Sequence, residues 1–401
     1  MNRDLPSARY HDPFDAGYTR DVIDTVFGPA LDHYFRPKLM GAHKLRENGP
    51  LILAANHSGM AFPYDGMVLD ALLWRRHGYR PEKKFRTVFE KELSLTWWMR
   101  PYGVDNFWRR CGGVDATFDN LERLVTRGER VIYYPEGVPG IGKGFNRRYR
   151  LQPFRTSFVL LAARHRVPVQ PVYIINAEWV IPYNYSIRPV DRVMDRFFKV
   201  PFLPLPGGAI AITFPWAWYL SLPARMILVI GDPIDVRALA EQDGLTDFDN
   251  PDRDGLQRLS DRVRSIMQPE LDRHIRRYGR WPYQGRSLWR ELRKAKRKGI
   301  LGRVLPTGWV AAYTRFERDR GRPPARNRLH RMLRDWDLVG YYLPLGWPLL
   351  SLARRFRRPP YGYRGLDPAE RKRREGTFLW RLAEEPLPPK GKSPGPSRDP
   401  G

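Results

Sequence analysis

The chain has 401 residues, enough for one large core with or without a smaller appendage. Lys and Arg outnumber Asp and Glu by 70 to 43, giving a formal charge of +27, so an anionic surface is the expected partner, either nucleic acid or membrane headgroups. A lone cysteine, Cys111, excludes an internal disulfide and a thiolate-rich metal site and suits a reducing compartment.

In chain order, residues 1–15 lack the apolar stretch of a secretion signal. Residues 16–40 carry Val22, Val26, Leu31 and Phe35 at helical spacing, interrupted by Gly28-Pro29; they predict an amphipathic helix broken at that point. After the turn Glu47–Pro50 comes an apolar run, 51–55, read as a buried strand, then a helix over about 66–77. Residues 116–127 place Phe118, Leu121, Leu124 and Val125 on one helical face, with Asp115 or Thr117 as cap and Gly128 as terminator. Short apolar runs recur at 130–134, 167–175 and 226–230, with a helix around 154–165 between the first two. Strands apolar throughout and alternating with helices predict an α/β fold, a mostly parallel central sheet with helices on both faces.

From about 281 the composition turns basic and Trp-bearing. The expected division is a helical segment over 1–40, a catalytic unit over 41–280, a basic extension over 281–383 and a disordered tail over 384–401. No run of about 20 uninterrupted apolar residues occurs, so no spanning helix is required. Trp97, Trp98, Trp216, Trp218, Trp336 and Trp347 lie among Leu, Pro and Tyr with flanking arginines, a headgroup-level pattern. No helix-turn-helix, zinc or RRM-type signature accompanies the charge, so the expected anionic partner is a membrane surface with anionic lipids, on its cytoplasmic face, and not nucleic acid.

Chemistry concentrates where strands end. Asn56-His57-Ser58-Gly59 follows the first apolar run and Pro135-Glu136-Gly137 the second, and in parallel sheets sites form beyond the carboxyl ends of strands. A lone histidine is often packed structure, but His57 has small neighbours and a carboxylate, Asp65, eight residues on. A general base needs moderate basicity and a partner that accepts the proton of its other ring nitrogen, which Asp65 can supply. Glu136 is either a solvated turn residue or a site residue facing the same crevice. Beyond it, a flexible stretch bears Lys143, Arg147, Arg148 and Arg150, suited to holding a phosphate. Gly137 to Lys143 has P-loop spacing, but Gly144 stands where Ser or Thr would hold magnesium, which argues against nucleotide hydrolysis.

Taken together, Asn56-His57 with Asp65, then Tyr134-Pro135-Glu136-Gly137, then Val167-Pro168 with Pro171-Val172, resemble the ordered blocks of the PlsC-like glycerolipid (lysophospholipid) acyltransferases over roughly residues 35–240. The gap from Ser58 to Tyr64 is longer than is usual in that family, so the loop must bulge to return Asp65 to His57. A second block stands only as Cys111–Ala116, lacking the family's phosphate-contacting arginine at Ala116; Arg109, Arg110 or the 143–150 cluster would substitute, or the acceptor would lack a glycerol phosphate. The resemblance implies that His57 acts as base on an acceptor hydroxyl, with Asp65 orienting it. The hydroxyl attacks the thioester of acyl-CoA or acyl carrier protein, a co-substrate and not a cofactor. Glu136 and the Gly137 backbone, with Lys143, Arg147 and Arg148, would seat the lipid acceptor. The second class of function is a membrane-bound lipid-binding or scaffold protein with an inactive acyltransferase fold.

Overall fold

A computed structural model describes residues 14–59, 62–89, 107–198, 205–206, 210–211, 213–320 and 327–346. Trp97, Trp98, Trp347 and the expected tail over 384–401 lie outside these residues.

The chain enters as one helix, α1, α-helical at Ala16–Asp21 and Gly28–Ala30 and π-helical at Val22–Phe27 and Leu31–Phe35. Asp15 caps it by accepting the Tyr18 amide at 2.9 Å. The expected break at Gly28-Pro29 does not occur. Gly28 keeps a helical φ of −50°, and widened turns on either side take up the prolyl ring and its missing N–H. The helix stops at Arg36, whose φ of 49° is left-handed.

There follow β1 (Lys38–Met40), β2 (Leu51–Ala55), α2 (Tyr64–Arg76), β3 (Arg86–Phe89), α3 (Phe107–Arg110) and β4 (Val114–Asp115). Next come α4 (Phe118–Thr126), β5 (Arg130–Tyr133), α5 (Gly137–Ile141), α6 (Ser157–Arg164), β6 (Val169–Ile175), α7 (Arg188–Phe198) and β7 (Ile227–Ile230). The strands form one seven-stranded sheet in the order β1-β7-β6-β2-β5-β3-β4. All pairs are parallel except β6 with β7. β2 lies at its centre, with Leu53 beside Ile132 of β5 and Gln170 of β6. Thr117 caps α4 by accepting the Asn120 amide. Leu121, Leu124 and Val125 are buried as the spacing predicts, but Phe118, in the first turn of α4, is 40% exposed.

Successive side chains of a strand face opposite sides, so the central strands feed two cores. Leu51, Leu53 and Ala55 of β2 pack with α1 and α2 on one face; Ile52 and Ala54 pack with α6 on the other. The second face is completed by α8 (Val236–Gln242) and the 26-residue α9 (Arg253–Tyr278). The C-terminal helices are α10 (Gly285–Arg297), α11 (Trp309–Arg320), α12 (Arg328–Arg334) and α13 (Val339–Tyr342), of which α10, α11 and α13 pack on the first face. Ala295, Trp309, Tyr313 and Tyr341 join the core of α1 and α2. Tyr313 Oη sits 2.6 Å from Tyr18 Oη, and Glu291 Oε2 lies 3.3 Å from His33 Nδ1. Among the described residues no helix is long and apolar enough to cross a membrane.

Candidate active site

β2 ends at Ala55, and the next side chain closes the sheet. Asn56 is fully buried; its Nδ2 donates to the Ile174 carbonyl at 3.1 Å and its Oδ1 accepts the Ile174 amide at 2.7 Å. This amide pair prolongs the ladder one residue past the strand and sets the direction in which the chain leaves β2. His57 is therefore presented from rigid backbone.

The loop does return Asp65 to His57. Nδ1 of His57 lies 3.1 Å from Asp65 Oδ2, and the same oxygen accepts the Ser58 amide at 2.9 Å and the Ser58 hydroxyl at 3.0 Å. Asp65 Oδ1 accepts the Gly66 amide at 2.8 Å, in the first turn of α2, where the helix dipole favours a negative charge. Burial by itself would raise the Asp65 carboxyl, but the charge and hydrogen bond of His57 and the Ser58 and Gly66 amides outweigh it and hold it below 3.8. An ionised Asp65 can only accept, so Nδ1 carries the proton and Nε2 is the basic nitrogen. The imidazole stacks on Tyr134, ring centroids 4.1 Å apart and planes 14° from parallel.

Glu136 stands at the end of β5 as predicted, but it is completely buried and its oxygens are engaged by the protein itself. Oε1 accepts the His57 amide at 2.9 Å; Oε2 accepts the Gln152 amide at 2.8 Å and lies 3.4 Å from Lys143 Nζ. Neither a solvated turn residue nor an acceptor contact describes it: Glu136 ties the backbone of the His57 loop to the far side of the crevice. The Gly137 amide likewise donates internally, to the Tyr134 carbonyl at 2.9 Å.

Lys143 corrects a second expectation. It is fully buried between Glu136 and the Arg150 carbonyl, 3.3 Å away, and serves as the counter-ion of Glu136, with no face open to a phosphate. The stretch after Glu136 is folded, α5 followed by a 3-10 turn at Phe145–Arg147. Two glycines allow this packing. A Cβ on Gly59, at φ +75°, would come within 2.6 Å of Lys143 Cγ, and one on Gly140 within 2.4 Å of Glu136 Cβ and 3.1 Å of His57 Cβ. Arg147 is half-buried, and Arg148 and Arg150 are exposed, the Arg148 guanidinium 4.6 Å from the Phe145 ring, so these three remain the accessible charges of the cluster. The two arginines nearest Ala116 are each engaged within the protein: Arg109 grips Asp115 at 2.6 and 2.8 Å, and Arg110 pairs with Glu317 at 3.1 Å while lying over the Tyr18 ring.

A third buried acid, Glu178, follows β6. Its Oε1 accepts the Tyr149 amide at 3.3 Å, and burial, opposed by the charge of Lys143 and by backbone hydrogen bonds, pushes its carboxyl up to about 8. Sequence reasoning missed Glu178, the stacking role of Tyr134 and the Ser58 hydroxyl. Only Tyr134 left a signal, an aromatic ring immediately before the Pro-Glu-Gly turn.

Fold and site together define an α/β protein whose buried His57–Asp65 pair lies beyond the carboxyl ends of central parallel strands. A family model described as Acyltransferase matches residues 36–175, which contain the whole network from Asn56 to Ile174. Those residues are thus similar to the acyltransferase family, and the likeness supports acyl transfer as a general activity. Uncharacterized proteins of Mycobacterium tuberculosis and Mycobacterium bovis are similar to it, 28% identical over 268 residues, covering 65% of this chain and 67% of theirs. One of Mycobacterium leprae is 27% identical over 270 residues, covering 65% of this chain and 66% of its own length.

Proposed function

We propose that the protein moves a fatty acyl group from the thioester of acyl-CoA or acyl carrier protein to the hydroxyl of a lipid acceptor, in glycerophospholipid synthesis or remodelling, at the cytoplasmic face of a membrane. The observation that carries this reading is the His57–Asp65 contact of 3.1 Å, with Nε2 left as the basic atom. Nε2 takes the proton of the acceptor hydroxyl as its oxygen attacks the thioester carbon. The tetrahedral intermediate collapses by breaking the C–S bond, and the imidazolium returns the proton to the departing thiolate. Asp65 keeps Nδ1 protonated and balances the imidazolium charge. No covalent acyl-enzyme is needed. Arg147 and Arg148 are the charges that contact an anionic acceptor or donor group, whereas Glu136 and Lys143 act by holding the His57 backbone.

One labelled acyl-CoA offered with a panel of acceptors (lysophosphatidate, other lysophospholipids, glycerol phosphate) tests this. The wild type is expected to acylate at least one lipid hydroxyl and His57→Ala to lose on the order of 1000-fold. Full transfer by His57→Ala would remove the assigned base, and lipid binding without transfer to any acceptor would favour the inactive scaffold.

A further inference from the structure

The described residues of the segment 281–345 leave cations and apolar side chains uncovered together. α10 exposes Arg286, Arg290, Arg293, Lys296 and Arg297 against a single acid, Glu291, which is occupied by Lys294 and His33. Trp289 is exposed among them, 5.4 Å from the Arg293 guanidinium. α10 runs on into Leu301 and Leu305, also exposed. Tyr341 Oη donates to the Thr307 carbonyl at 2.8 Å, which joins this basic end to a second feature.

That feature is an apolar stripe. Leu329, Met332 and Leu333, spaced to share one face of α12, are 64, 70 and 66% exposed. Trp336, Val339 and Tyr342 continue outward at intervals of three, while Asp337, Leu338 and Tyr341 between them turn inward. Isolated exposed leucines are ordinary, but a stripe of this length beside a cationic helix is not.

The stripe also reaches the site through a layer of rings. Tyr341 lies 6.3 Å from Tyr219, Tyr219 lies 5.0 Å from Phe62, and Phe62 lies 4.7 Å from Tyr64, next to Asp65. Ring contacts thus connect the surface to the segment between His57 and Asp65.

We infer that α10 and the stripe from Leu329 to Tyr342 form the docking face for an anionic lipid bilayer: α10 supplies the electrostatic attraction, and the stripe enters the headgroup layer. The inference rests on the acyl-transfer reading of the site and names the partner that brings its lipid acceptor. Charge complementarity selects the occupant, since a cationic helix bearing an interfacial tryptophan and an adjoining aliphatic stripe match anionic headgroups above acyl chains.

The test is co-sedimentation of the full chain with phosphatidylcholine vesicles, with and without phosphatidylserine, and a parallel transfer assay with a water-soluble short-chain acceptor. The wild type binds the phosphatidylserine vesicles and releases with rising salt. Arg290→Gln/Lys296→Gln/Arg297→Gln weakens that binding on the order of 100-fold, and Leu329→Ser/Met332→Ser/Leu333→Ser weakens it roughly tenfold or more. Both variants keep the wild-type rate with the soluble acceptor and lose rate only when the acceptor resides in vesicles. Wild-type vesicle affinity in both variants overturns the docking face, as does a dimer in solution that the serine variant dissociates. Absence of transfer to every acceptor by a wild type that still binds vesicles as described would overturn the acyl-transfer reading and leave the docking face standing.

Discussion

Two regions of the molecule handle charge in opposite ways. Around His57, Asp65, Glu136 and Lys143 the charged groups are buried and meet a partner within about 3.4 Å. On α10 and α12 the cations are exposed and apolar side chains stand beside them in solvent. Buried charge is tolerated only when geometry is fixed, so the first region specifies positions; exposed charge costs little and reaches outward, so the second specifies a surface. The contrast predicts that substitutions in the first region disturb folding and chemistry together, while those in the second disturb location alone.

The largest stability effect is expected at Lys143. Lys143→Met strips Glu136 of its counter-ion in a fully buried setting and should destabilise the protein by about 3–5 kcal/mol in urea unfolding. Adding Glu136→Gln should recover part of that loss, because the uncompensated charge goes with it. A loss below about 1 kcal/mol would mean that Lys143 is not the group that neutralises Glu136.

Glu178 gives a smaller effect with a definite sign. Its folded value of about 8 lies above its ordinary 4.5, so the folded state keeps the proton longer than the unfolded chain does. Its contribution is therefore most favourable below pH 4.5 and declines as pH rises towards 8. Glu178→Gln should flatten this decline, with a gain in stability at the alkaline end. Urea midpoints measured across that range decide it; parallel curves for wild type and variant would contradict the assignment. The serine variant of α12, by contrast, should shift each midpoint by under about 0.5 kcal/mol per site, as its side chains are already in water.

Much of the sheet was legible in the sequence because central parallel strands are buried on both sides and read as apolar runs, as at Leu51–Ala55 and Val169–Ile175. The outer strands β1, β3 and β4 were not, since they are two to four residues long and include Lys38, Arg86 and Asp115. Pro29 reads as a helix breaker because its ring clashes in an α-turn; π-turns on either side remove the clash, and no local signal announces them. In the site, His57 and Asp65 were recognisable from residue type and strand-end position. The fate of each cation after Glu136 was not: Lys143 and Arg148 look equivalent in sequence, and only the close approach at Gly59 and Gly140 folds one beneath the loop and leaves the other in solvent.

The central claim is that His57 and Asp65 act as one unit. The direct test is a double-mutant cycle of acyl transfer with His57→Ala, Asp65→Asn and the combined variant, all shown to be folded. A unit predicts that each single change removes most of the rate and that the combined variant is no slower than His57→Ala. Losses that multiply in the combined variant would mean that the two side chains contribute independently, and the account would fail.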